Sequence, residues 1–133
     1  MILFTKKKDE LLMHDRPSDH EICRRLQEAK EALRSKETNF ACSSKVSGEI
    51  NALNLGDSSE VWDLILEVLI KEINVTHYAG RHPPEKSYEK IIENKDLWAF
   101  CWYSKILKKK MYLKFAIKNN IFYYVSLHES KYH

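Results

Sequence analysis

An α+β fold, with two or three N-terminal helices packed on one face of a small antiparallel sheet of three to four strands, is predicted by three observations. The C-terminal third carries three runs of aromatic and β-branched residues, LWAFCWY, MYLKFAI and IFYYVSLH, which read as a three-stranded meander over Leu97 to His128. Two upstream stretches repeat apolar residues at helical spacing, and each opens with a capping pair, Ser18 with Glu21 and Asp57 with Glu60. Helices first and strands afterwards is the order of a segregated α+β domain. With 133 residues, 44% of them hydrophobic and only three Gly and three Pro, the chain has material for one packed core.

Residues 1–17 mix charges with a short LLM run and hold no period, which predicts a flexible N-terminal arm or an adventitious strand ahead of a single domain over 18–133. Ile22, Leu26, Ala29 and Leu33 form one apolar stripe on a helix from Ser18 to Ser35, whose other faces carry charges of both signs. Lys36 to Ser44 reads as a loop, and VSGEINALNLG as a short helix stopped near Gly56. Val61 to Ile73 is apolar on almost every side, so the helix Ser58 to Glu72 is expected to be central and buried. Val75 to Ala79 reads as a short fourth strand, ended by Gly80 and the Pro83, Pro84 pair. The loop that follows is longer than a plain connection needs, and it carries Arg81, His82, Lys86 and Lys90.

Within the meander, Met111, Leu113, Phe115 and Ile117 alternate with Tyr112, Lys114 and Lys118. In the last strand Ile121, Tyr123, Val125 and Leu127 alternate with Phe122, Tyr124, Ser126 and His128. Matching the two apolar faces requires a three-residue loop, Lys118 to Asn120, because a two-residue turn at Asn119 and Asn120 puts Ile117 opposite Phe122. In the three-residue register Tyr112 lies opposite Ser126 with His128 as its diagonal neighbour, and Lys114 lies opposite Tyr124. All of these then share the face away from the core, with Phe122 and Tyr124 exposed to stack on bases or to lie under the N-terminal arm. Alternation alone says no more than that one sheet face is wet.

Cys23, Cys42 and Cys101 are an odd number at wide spacings, which suits a reducing compartment. A formal net charge of +3 is too mild to mark a nucleic-acid binder. No apolar run approaches the ~20 residues that cross a membrane, and MILF runs at once into KKKDE, so a cytosolic protein without a secretory signal is expected. The six histidines form no recognised ligand spacing, so no metal site is expected. The absence of a glycine-rich phosphate loop and of a Gly-x-Ser-x-Gly elbow leaves nucleotide hydrolysis and α/β-hydrolase chemistry without support. Lys105 and Lys108 to Lys110 make a basic cluster between the first two strands of the meander, suited to a hairpin tip or to a phosphate backbone.

The segment KMYLKFAIKNNIFYYVSLHES resembles the C-terminal strands of the MqsR family of toxin endoribonucleases, within the RelE-like group. That pattern is a Tyr-x-Lys strand, a short turn, and a strand ending in Val-Ser, an apolar residue, Lys or His, and Glu. The resemblance extends upstream through LWAFCW, HYAGR, VWDLILEVLIKEI and INALNLG, covering roughly Leu26 to Glu129. It implies a cytoplasmic mRNA interferase, the toxin of a type II toxin-antitoxin pair. It further implies cleavage by 2′-hydroxyl attack without metal or cofactor, with mRNA and a cognate antitoxin as partners and no membrane. On these residues it implies Tyr112, His128 and Lys114 as the catalytic group. Arg81, His82, Lys109, Lys110, Tyr124 and Ser126 become RNA contacts. His128 and Tyr112 are the candidate proton-transfer pair, with either as the base, Tyr112 in that role only where Lys114 and Arg81 lower its pKa. Two positions depart from the family pattern: Ala79 stands where a Lys is usual, and Ala99 where a Gln follows the strand-opening Trp98. The alternative from another class is a non-catalytic RNA-binding or partner-binding module using the same basic, aromatic face.

Overall fold

In a computed structural model, residues 16–130 are described, so the expected N-terminal arm lies, but for its last two residues, outside the described residues. The elements run α1 (Asp19–Arg34), β1 (Thr38–Phe40), α2 (Ser43–Ala52), α3 (Ser58–Lys71), β2 (Trp98–Ser104), β3 (Lys109–Lys118) and β4 (Ile121–Glu129). Short 3-10 turns lie at Val75–His77 and Lys90–Ile92. The fold is α+β, with the helices preceding the three long strands.

α1 starts where the capping pair puts it, with the Ser18 hydroxyl accepting from the Glu21 N–H at 3.0 Å. Its buried stripe is Ile22, Leu26, Ala29, Ala32 and Leu33. The helix closes with Lys36 in the left-handed region (φ 60°), the Lys36 N–H donating to Leu33 O and the Glu37 N–H to Ala32 O. This reversal feeds β1 directly, a correction to the loop expected over Lys36 to Ser44. β1 pairs in parallel with β4, so the sheet is mixed rather than antiparallel, in the order β1-β4-β3-β2. A three-residue strand that borrows all its pairing from a distant partner has no period of its own to read.

The fourth strand expected over Val75 to Ala79 does not form. Asn74 instead caps a 3-10 turn, its side chain accepting from the Thr76 N–H at 2.9 Å while the Asn74 N–H donates to His77 Nδ1 at 3.0 Å. Local side-chain bonds of this kind compete directly with strand pairing. Of the residues 75–79, Tyr78 alone makes a β-bridge, to Phe100.

α3 is capped by Asp57, which accepts from the Glu60 N–H at 3.1 Å, while Glu60 reaches back to the Gly56 N–H. It is not buried all round: Val61, Ile65, Val68 and Leu69 are buried, but Ile70 is half exposed. At its C-terminal end Glu72 accepts from Trp102 Nε1 at 2.9 Å and from the N–H groups of Lys105 and Ile106 at 2.8 and 3.1 Å. One carboxylate thus ties the helix to the tip of the β2–β3 hairpin.

The main core lies between the helices and one sheet face, where Phe100, Phe115 and Phe122 stack in sequence with centroids 5.8 and 5.0 Å apart. A second, smaller core covers the turn end of the other face. There Ile92 and Leu97 of the 85–97 segment pack on Ala116 and Tyr123, with Ala41, Ile121 and Val125 around them. The rest of that outer face, around Tyr112, remains partly open.

Candidate active site in the sheet cleft

β3 and β4 bring the central pair together. Tyr112 and His128 are direct cross-strand partners, with rings stacked at 5.2 Å and 24°. Lys114, one alternation along β3, holds its ammonium 5.7 Å from the Tyr112 ring.

The register that achieves this differs from the expected one. The hairpin closes through two residues, Asn119 and Asn120, both left-handed (φ 53° and 63°), with Lys118 opposite Ile121 and Ile117 opposite Phe122. Between the Phe115↔Tyr124 and Lys114↔Ser126 pairs a β-bulge takes up one extra residue, Val125. The two-residue turn is tolerated because both faces of the first half of β4 are covered by apolar groups, so Phe122 and Tyr124 face the helices while Tyr123 and Val125 face the second core. After the bulge Leu127 returns to the main core and His128 to the outer face.

Tyr124 and Ser126 therefore do not join the outer surface. Tyr124 is 1% and Ser126 5% exposed, and both hydroxyls donate to the carboxylate of Glu49 on α2, Ser126 at 2.9 Å. Phe122 is likewise fully buried, which corrects the expected stacking surface. Lys110 lies on the Tyr112 face, opposite Tyr103, whereas alternation puts Lys109 on the other side of the strand. Cys101 pairs with Tyr112 from β2 and is partly exposed, not a core residue.

The loop after Tyr78 forms the opposite wall of a cleft of about 250 Å³ lined by Ala79, Gly80, Arg81, Glu85, Leu97, Ala99, Tyr112 and Lys114. Its path follows β2 through bonds from Ala79 N to Ala99 O and from Leu97 N to Glu85 O, each 2.8 Å. The Tyr78 ring folds back over Gly80 and donates its hydroxyl to Arg81 O at 2.7 Å. A Cβ on Gly80 would sit 2.6 Å from Tyr78 Cζ, so only glycine fits beneath that ring. His82 stacks on the other part of the loop, against Tyr78 at 6.1 Å, exposed and outside the cleft lining. Ala79 and Ala99 lie side by side as the small apolar wall.

Glu85, unread in the sequence, sits between the two cations, 3.4 Å from Arg81 Nε and 3.9 Å from Lys114 Nζ. Burial and then the Glu85 carboxylate raise the Tyr112 pKa, with Cys101 adding to the effect. The lowering by Lys114 and Arg81 that a base role for Tyr112 requires is therefore not found. Tyr112 is consequently a proton donor at neutral pH. His128 has its Nδ1 2.8 Å from Glu129 O. A carbonyl oxygen only accepts, so Nδ1 carries the proton and, in the neutral ring, Nε2 is the free base.

No protein family, curated protein or solved structure matches the chain. Among the described residues no helix is long and apolar enough to cross a membrane.

Proposed function

We propose that the chain is a metal-independent endoribonuclease, an mRNA interferase acting as the toxin of a type II toxin-antitoxin pair in the cytoplasm. The observation that carries the reading is the stacked Tyr112–His128 pair beside Lys114, with Tyr112 and Lys114 lining the cleft. The resemblance of Tyr112, Lys114, Val125, Ser126, His128 and Glu129 to the MqsR pattern supports it as well.

In this mechanism His128 Nε2 takes the proton of a ribose 2′-hydroxyl, whose oxygen attacks the adjacent phosphorus. The bond from phosphorus to the 5′-oxygen breaks, and that oxygen takes the proton of the Tyr112 hydroxyl. The products are a 2′,3′-cyclic phosphate and a free 5′-hydroxyl, and water returns the two side chains to their starting protonation. Lys114 and Arg81 balance the charge gathering on the phosphate. The raised pKa of Tyr112 supports giving it the acid role, since a phenol held protonated has a proton to donate. Lys110, further along the same face, extends the basic surface toward the flanking backbone. A cognate antitoxin is the expected partner, and an acidic segment laid over Arg81, Lys110 and Lys114 would restrain the enzyme. A small antitoxin-like protein in the adjacent reading frame would accord with this.

Overexpression should arrest growth and degrade transcripts, and the purified protein should cleave RNA in the presence of a chelator. His128→Ala should lower the rate roughly 10²-fold or more with the fold retained. Lys114→Ala should weaken RNA binding and flatten its salt dependence. RNA binding with no cleavage by the wild type would instead favour the non-catalytic module, and full activity in both variants would move the chemistry elsewhere.

A further inference from the structure

We propose that Glu49, on α2 and outside the cleft, is a positioning residue that holds the β4 bulge and thereby sets His128 against Tyr112. Its catalytic consequence rests on the nuclease reading, but its structural consequence does not.

Pairing from the two-residue turn runs in regular steps from Lys118↔Ile121 to Phe115↔Tyr124. Continued without a bulge, it would put Leu127 opposite Tyr112 on the outer face and His128 opposite Met111 on the helix side. A Leu would then stand beside Tyr112 on the outer face and an imidazole in the core. One extra residue, Val125, prevents this.

The bulge lies where β4 loses its outer neighbour. β1 ends at Phe40, which pairs with Tyr124, and beyond Ala41 N to Tyr124 O no strand among the described residues lines that edge of β4. Glu49 takes over there. Its carboxylate accepts from the Tyr124 hydroxyl, from Ser126 Oγ at 2.9 Å and from the Leu127 N–H at 3.0 Å, so one group holds both sides of the extra residue.

The Leu127 bond exists only in the bulged register. Along a strand, residues whose side chains share a face direct their N–H groups to the same edge. Phe122 faces the core and donates toward the β1 edge, to Glu37 O, and Leu127 faces the same core and donates to Glu49 on that edge. In an unbulged strand Leu127 would have the opposite parity and direct its N–H at β3. An N–H bound by a carboxylate is a charge-assisted bond, stronger than a neutral one. Glu49 therefore favours the arrangement that delivers His128.

The test compares Glu49→Ala and Glu49→Gln by NMR and by RNA cleavage. Glu49→Ala should lose the ring contact between Tyr112 and His128 and drop cleavage about as far as His128→Ala, roughly 10²-fold. Glu49→Gln, whose amide oxygen can still accept from Leu127, should retain the contact and most of the rate. If Glu49→Ala does not fold, the pair Tyr124→Phe and Ser126→Ala serves, with Leu127 amide exchange expected to quicken about tenfold as its acceptor is loosened. An intact Tyr112–His128 contact in a folded Glu49→Ala chain, or unchanged Leu127 exchange in the double variant, would overturn the proposal. Wild-type protein that cleaves no RNA would remove the nuclease reading alone, since the NMR contact and the exchange rate are measured without activity.

Discussion

Tyr112 receives opposing influences from its neighbours. The Lys114 ammonium lies over its ring at 5.7 Å, while Glu85 stands 3.9 Å from that same ammonium and helps raise the phenol's pKa. A carboxylate in that position occupies the cations that an RNA phosphate would need. Glu85→Gln should therefore tighten RNA binding and steepen its fall with salt, because Lys114 and Arg81 no longer answer an internal anion. The same change should bring the Tyr112 titration down, though not to its ordinary value, since burial is the larger cause and remains. An ultraviolet titration of tyrosinate, set against Tyr112→Phe as reference, reads this directly, and an unmoved curve would refute the coupling. At this scale the sequence is legible where placement follows strand alternation, as for Tyr112, Lys114 and His128 on one face. It is not legible for Glu85, because Pro83 and Pro84 interrupt any period between it and Arg81, nor for Glu49, which reads as one more polar position on a short helix.

The β3–β4 hairpin shows how an element can be read correctly in content and wrongly in register. Tyr112 and His128 were expected on one face and are found there, but the connection between them is a two-residue turn and a bulge instead of a three-residue loop. Alternation could not choose, because Ile121, Tyr123 and Val125 bury on one side while Phe122 and Tyr124 bury on the other. The turn residues carried the better signal, as adjacent asparagines tolerate the two consecutive left-handed conformations that such a turn demands. Asn120→Gly should leave stability unchanged or slightly raised. Asn120→Ala should lower it by about 1 kcal/mol, the scale for a side chain with no local hydrogen bond held in that region. Urea unfolding of the two variants checks the pair, and equal stabilities would mean that the hairpin does not depend on this turn. The helices were read more accurately, because Ser18 and Asp57 each announce a start that local hydrogen bonds alone can satisfy.

Across the whole molecule, burial raises the pKa of the Tyr78, Tyr112 and Tyr124 phenols. Tyr78 is pushed up to about 12, mainly by burial and next by Asp96. Tyr124 is raised by burial and by its bond to Glu49, and Tyr112 by burial and by Glu85. In the unfolded chain all three titrate near 10. Between those values the native state holds more protons than the unfolded one, so stability must fall as pH rises. The acid side has the opposite sign. Burial alone would raise the Glu72 carboxyl, but its bonds to Trp102, Ser104 and the Lys105 and Ile106 N–H groups hold it below its usual value. The Ser59 hydroxyl and the Glu60 N–H lower Asp57 in the same direction. The stabilisation from these two groups is present above their ordinary carboxylate range and is lost as pH falls through their lowered values. Urea unfolding across the pH range should therefore give a plateau that declines in acid and again above about pH 10. Tyr78→Phe should reduce the alkaline decline, because it removes one phenol that the folded chain keeps protonated. It should also loosen the cleft wall by removing the bond to Arg81 O. Stability that stayed level from pH 10 to about 12 would mean that the phenols titrate alike in both states, and the packing around Tyr78 would then have to be far more open than its contacts with Trp98 and Phe100 imply.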